Sequence, residues 1–389
     1  MPNRLATTVI AIIACGSLAG AVTEMPQGSP ANFTGQGNTA LMREQFDSAI
    51  ALYQKALDIN KGYYYALYNL ALTHQHVGIL TNDPEERRRH FEQARRKYTE
   101  ALQQRPDSSE AMCNLGIIAF HLQEYGVAAG HFAKAADQST KPTEIAEYAY
   151  NLGTAQERRQ QWRDAEEAYL RAIRLNNDHF GANFNLGTLY LRQLDNQPKA
   201  EEHLLRAREI DPKRPEPLLN LAVLAENRDH LLQADQLYSE AVRVASLHRP
   251  EQEVVMRWHR GRFYWRSDIP GKATKIAMKQ DLLSILEREP DYPEANGLLG
   301  RYYESIAEYA QAIHFLEREV SEANFDPNSE VDLMSHFLLA TIYSEHLKNS
   351  AKALEHVRAY YELRPDQTGD ELRRSALRQQ ERDQTDTEP

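Results

Sequence analysis

The chain has 389 residues, of which 42% are hydrophobic and 26% charged, with a net charge of -11. At about 100–200 residues per domain, this length implies two or three domains or one long repetitive array, while the hydrophobic content excludes wholesale disorder and a mean hydropathy of -0.65 excludes a polytopic membrane protein. The acidic balance argues against nucleic acid as a partner, and two cysteines support neither a disulfide framework nor a cysteine-based structural zinc site.

The N-terminus reads as an export signal. Arg4 supplies a minimal basic region, and residues 5–14 form an apolar run, too short for a transmembrane helix of about 20 apolar residues. Ile12-Ile13-Ala14-Cys15 resembles a bacterial lipobox, in which the cysteine is lipidated and becomes the new N-terminus. Residues 1–15 are then a signal peptide. Residues 16–35, rich in Gly, Ser, Pro and Thr, are then a flexible tether. Ordinary cleavage after Ala19-Gly20-Ala21 and an uncleaved N-terminus are the competing readings. Asn32-Phe33-Thr34 fits a glycosylation acceptor, which matters only in a eukaryotic secretory pathway.

From about residue 30 a repeat dominates. Tyr68-Asn69-Leu70-Ala71 returns as Cys113-Asn114-Leu115-Gly116, Tyr150-Asn151-Leu152-Gly153, Phe184-Asn185-Leu186-Gly187 and Leu219-Asn220-Leu221-Ala222, with the asparagines 45, 37, 34 and 35 residues apart. A second register follows each: Ala49-Tyr53-Ala56, Ala94-Tyr98-Ala101, Ala128-Phe132-Ala135, Ala165-Tyr169-Ala172, Ala200-Leu204-Ala207 and Ala234-Tyr238-Ala241. Apolar residues at i, i+3, i+4 and i+7 predict paired amphipathic helices. Small residues at the Gly116 and Ala128 positions let the two helices of a unit approach. The aromatic of the second helix is expected to fill the seam to the next unit. Prolines at 106, 212, 290 and 365 end units because proline cannot continue a helix.

This pattern resembles the tetratricopeptide repeat family over about residues 30–365. The resemblance implies an all-α, right-handed superhelical solenoid of about nine helix-turn-helix units. Six regular units span an N-terminal lobe, 30–248. Three divergent ones span a C-terminal lobe, 254–365, the first with a disturbed second helix. Residues 366–389 form a charged, disordered tail. The second unit carries 25 positions between Asn69 and Ala94, where its neighbours carry 14. Asp83-Pro84-Glu85-Glu86 inside this insertion reads as an N-cap, a proline at the first helical position and an acidic first turn. It predicts a long second helix. The break at residues 267–271 suggests a change of direction.

Such an array exposes a concave face that binds extended peptides. The family places the asparagine position on that face. Asn69, Asn114, Asn151, Asn185 and Asn220 would then form a ladder of amides, each able to pair with a peptide C=O and N–H together. It looks like the asparagine ladder in the repeat domain of O-linked N-acetylglucosamine transferases, without their glycosyltransferase domain. The competing reading gives the amides local hydrogen bonds only. Tyr68, Leu72, Ile117, Phe120, Tyr150, Phe184 and Leu191 would line the groove. His76, His121, Arg158 and Arg192 would rim it, suiting a partner with carboxylates. Trp258, Arg262, Trp265 and Arg266 form a second binding face of interleaved Trp and Arg.

Catalytic patterns are missing from the sequence: it has no H-E-x-x-H, G-x-S-x-G, P-loop or dinucleotide fingerprint. His74-Gln75-His76 sends its imidazoles to different sides of a helix, so neither a metal nor a cofactor is expected. The sequence therefore points to a non-catalytic scaffold or adaptor that binds proteins or peptides, exported to the periplasm or anchored in the outer membrane of a bacterium through Cys15. An accessory subunit of a separate envelope or carbohydrate-processing enzyme and a self-assembling structural protein are the alternatives.

Overall fold

A computed structural model describes residues 26–267, 272–292, 294–321 and 330–363. The lipobox at Cys15, the alternative cleavage site and the tail from Asp366 lie outside these residues, as does most of the 267–271 break. Among the described residues are eighteen α-helices and no strand. They pair in chain order into nine hairpins, which makes the fold an all-α repeat. The hairpins are α1 (Pro30–Met42) with α2 (Phe46–Ile59), α3 (Tyr64–Leu80) with α4 (Pro84–Gln104), α5 (Ser109–His121) with α6 (Tyr125–Gln138), and α7 (Pro142–Arg158) with α8 (Trp162–Leu175). There follow α9 (Phe180–Arg192) with α10 (Gln197–Ile210), α11 (Glu216–Asn227) with α12 (Leu231–His248), and α13 (Glu253–Arg266) with α14 (Lys272–Arg288). The last two pairs are α15 (Ala295–Ser305) with α16 (Tyr309–Glu319), and α17 (Glu330–Thr341) with α18 (Ser350–Leu363).

The chain divides into two compact units, the first ending at Asp211 and the second beginning at Pro212. The first holds α1–α10 and the second α11–α18. The division falls one hairpin earlier than the 248–254 boundary suggested by the repeat pattern. Pro212, Pro215 and Pro217 stand there; proline stops α10 and starts α11.

Three hairpins close on the same contact. A β-carbon added at Gly116 would lie 2.6 Å from the Phe132 ring, one at Gly153 2.6 Å from Tyr169, and one at Gly37 2.5 Å from Tyr53. The aromatic of the second helix therefore seats on the bare backbone of its own first helix, rather than only in the seam to the next unit. The ring is buried, so its hydroxyl needs a partner. Tyr53 donates to Asn38 Oδ1 at 2.8 Å, Tyr98 to Gln75 Oε1 at 2.8 Å and Tyr238 to Glu226 Oε2 at 2.7 Å, each on the first helix of the same hairpin.

The insertion lengthens both helices of the second hairpin. α3 has 17 residues and α4 has 21, against 13 and 14 in the third hairpin. Asp83 caps α4 by accepting from Glu85 N, with Pro84 at the first helical position. Two sequence expectations need correction. The proposed tether overlaps a helix, because Ser29 Oγ accepts from Asn32 N and α1 begins at Pro30. The second helix of the seventh hairpin is not disturbed: α14 runs for 17 residues.

Candidate interaction surface

The ladder asparagines are buried, at 0 to 8% exposure. Their amides join one hairpin to the previous one. Asn69 Nδ2 donates to Asn38 Oδ1 at 2.7 Å, the same oxygen that accepts from Tyr53. Asn114 Nδ2 donates to the Tyr68 hydroxyl at 2.9 Å, and Asn185 Nδ2 to the Tyr169 hydroxyl at 3.3 Å. Asn151 Nδ2 approaches Cys113 Sγ at 3.8 Å, a weak acceptor. Asn220 belongs to the second unit and is also buried. An amide inside the array stabilises by satisfying buried groups, and its bond contributes about 1 kcal/mol net.

Four of the proposed lining residues are internal as well. Tyr68 and Tyr150 are buried. The Tyr150 ring packs 4.8 Å from His179 and 6.0 Å from Tyr169, centroid to centroid. Burial pushes its hydroxyl up to about 12. Leu72 and Ile117 are core residues too.

The remaining predicted residues are at least partly accessible; Phe120, His121, Arg158 and Arg192 stand at the C-terminal ends of α5, α7 and α9, whereas His76 lies on α3 and Phe184 in the N-terminal half of α9. Phe120 is half-buried, with the Arg158 guanidinium 5.8 Å from its ring centre. Arg158 and Arg192 are exposed, and both act from outside to lower the pKa of Glu157. Glu157 accepts the Tyr169 hydroxyl at 2.8 Å, yet burial outweighs these partners and holds its carboxyl above the usual range. A continuous relay thus runs from the ladder to the surface: Asn185 to Tyr169, Tyr169 to Glu157, and Glu157 beside the two arginines. Phe184, half-buried, stacks on Phe180 at 5.9 Å. Cations at helix C-termini also complement the helix dipole.

The second predicted face splits. Trp258 is core, 5.4 Å from the Tyr292 ring, with Arg262 5.9 Å from its centre. Trp265 is 39% exposed with Arg301 5.3 Å from its ring, and Arg266 is exposed. Sequence reasoning missed what lies behind them. Asp281 is buried and accepts from Arg257 Nη1 at 2.7 Å and from Arg260 Nε and Nη2 at 2.8 Å. Glu253 binds Arg257 at 2.7 Å and Arg288 at 2.9 Å. The i, i+4 spacing of Glu253 and Arg257 was a visible signal; the partner Asp281, 24 residues from Arg257, was not.

His74 pairs with His90 of α4, not with His76. Among the described residues no three His, Cys, Asp or Glu side chains gather as a metal site would need. No described helix is long and apolar enough to cross a membrane.

Residues 85–141 and 150–215 match the tetratricopeptide repeat family. Those two stretches are built of tetratricopeptide repeats. The matched segments cover most of the third, fourth and fifth hairpins of this repeat protein, together with α4. No curated protein matches its sequence. Among solved structures it is similar to Pseudomonas aeruginosa PilF, with 18% identity over 58% of this chain and 97% of that one, at a TM-score of 0.47. It is similar to YrrB, a repeat protein described as having an unusual peptide-binding site, with 21% identity over 50% of this chain and 93% of that one, at a TM-score of 0.40. Similarity to the Cut9–Hcn1 hetero-tetramer of the APC/C covers 78% of this chain and 54% of that one, at 15% identity and a TM-score of 0.48.

Proposed function

We propose that this repeat protein is a non-catalytic adaptor that binds a partner protein or an extended peptide along the first helices of its hairpins, and that Cys15 tethers it to a bacterial envelope membrane. The observation that carries the binding role is the set of side chains at the ends of α5, α7 and α9: the half-buried ring of Phe120 beside the exposed Arg158 guanidinium, and the exposed Arg192, which with Arg158 acts on Glu157. Aromatic and arginine side chains dominate binding hot spots. Their charge suits carboxylates on the partner. The buried amides serve the array, and the surface beside them serves the partner. Support for the tether comes from the sequence at residues 4–15.

The test is a cross-linked pull-down from native membranes. The wild type is compared with a Phe120→Ala, Arg158→Glu, Arg192→Glu variant, after circular dichroism shows equal helicity. A Cys15→Ala arm reports whether the protein leaves the membrane fraction. Loss of the captured partner in the triple variant, with helicity unchanged, is the expected outcome. Full retention would remove this surface as the binding site, and a Cys15→Ala protein that stays with the membrane would remove the tether.

A further inference from the structure

One interhelical position recurs with polar pairs. It lies four residues before the small residue of the first helix and one residue before the second-helix side chain at its level. In α9/α10 it holds Asn183 and His203, joined at 3.2 Å. In α13/α14 it holds Arg257 and Asp281 at 2.7 Å. In α17/α18 it holds two imidazoles, His336 and His356, with their Nδ1 atoms 3.2 Å apart and both rings buried. A second imidazole pair, elsewhere in its hairpin, joins α3 to α4: His74 and His90, Nδ1 to Nδ1 at 3.0 Å.

Two imidazole nitrogens at this separation share one proton, with one ring donating and the other accepting. A second proton turns both into N–H donors facing each other and places a cation between packed helices. The surroundings only partly offset that. His74 faces His90 and Lys97 of α4, while His90 faces Glu86 and Arg89 of its own helix and Asp47 of α2. His336 faces His356, which in turn faces Glu355 and Lys352 on α18 and Glu317 on α16, with the Tyr343 ring stacked at 5.9 Å. Glu86, Asp47, Glu355 and Glu317 favour protonation, but desolvation outweighs them in all four rings and holds His74 and His336 down at about 4.

We propose that His74–His90 and His336–His356 are acid-labile clasps, which hold α3 to α4 and α17 to α18 at neutral pH and release them on mild acidification. A closed hairpin binds fewer protons than an opened one wherever the native pKa is depressed. The clasp therefore contributes fully above about pH 6.5 and is lost progressively as pH falls toward about 4. Each imidazole protonated only on opening raises the opening constant about tenfold per pH unit in that window.

Native-state hydrogen exchange on the full chain, read by mass spectrometry at pH 7.0 and 5.0 and corrected for intrinsic rates, tests this directly. The expected result is a loss of protection of about tenfold or more in residues 64–104 and 330–363, with little change in residues 142–175, which contain no histidine. His90→Gln and His336→Asn should weaken that dependence, because one of the two titrating rings is removed and an amide oxygen accepts from the other whether or not it is protonated; the second substitution reproduces the Asn–His pair of α9/α10. Unchanged protection in the wild type would overturn the proposal, as would a loss spread evenly over all hairpins. Uptake of one zinc ion per pair at pH 7.0, measured by calorimetry, would also overturn it, since both nitrogens would then be ligands.

Discussion

Gly153 shows how little room a hairpin leaves. Its missing β-carbon is the space that the Tyr169 ring occupies. Gly153→Ala forces that ring off α7, and overpacking of this kind costs about 1–3 kcal/mol. Urea unfolding of the variant should show the midpoint falling with an unchanged slope; a midpoint equal to wild type would mean the ring has slack. The small residue was legible in the sequence as a point of close approach between the paired helices; that the aromatic of the second helix fills it was not, since the same ring could equally face the next hairpin. The asparagine ladder was legible as a recurrence but not as a role. Packing and binding both repeat a residue at every unit, and on a helix a side chain two residues before the glycine can face either the neighbouring hairpin or solvent. The bonds from Asn114 to Tyr68 and from Asn185 to Tyr169 decide for the neighbour. Each joins residues of different periods, a pairing that the sequence leaves open.

The turns between paired helices carry an unmarked device. Glu44, Gln123, Gln160, Asp229 and Ala307 all adopt positive φ, between 57° and 63°. Each follows the cap residue of a first helix. Gln123 N bonds Phe120 O and Glu124 N bonds Ala119 O, the two bonds of a Schellman closure, and Ala307 and Glu308 repeat them on Glu304 and Tyr303. Glycine usually fills this place, and without it no stop signal is legible there. A left-handed residue with a β-carbon costs about 1–2 kcal/mol, against which glycine loses about 0.5–1 kcal/mol of extra chain entropy. Ala307→Gly should therefore stabilise by about 0.5–1 kcal/mol, read as a rise in Tm; a fall would mean that the Ala307 methyl makes packing contacts worth more than the strain. The start of α4 was plain from Asp83 and Pro84, whereas the growth of α3 by the same insertion was not, since Gly78, Ile79 and Leu80 carry no marker of a helix end.

Across the molecule the same hairpin serves two ends. Its inner side chains close the array: Asn to Tyr, Tyr to Glu, and in the second unit Asp281 between two arginines. Its outer side chains include the half-buried Phe120 and the exposed Arg158 and Arg192, which we propose face the partner. Nine hairpins were countable in the sequence because the period repeats; the division at Asp211 was not, since a proline-rich junction between hairpins looks like the others. The account stands on the separation of these roles. The measurement that tests it is a titration of the captured partner against wild type, Asn185→Ala and Arg192→Glu, with urea unfolding of each protein alongside. Asn185→Ala should lower stability by about 0.5–1.5 kcal/mol, the net contribution of the lost bond, since the Tyr169 hydroxyl keeps its bond to Glu157, and should keep wild-type affinity in the folded fraction. Arg192→Glu should keep stability and lose at least about tenfold in affinity, or about 1.4 kcal/mol. The reverse pattern, affinity lost at Asn185 with stability intact, would contradict the account and return the ladder to the partner.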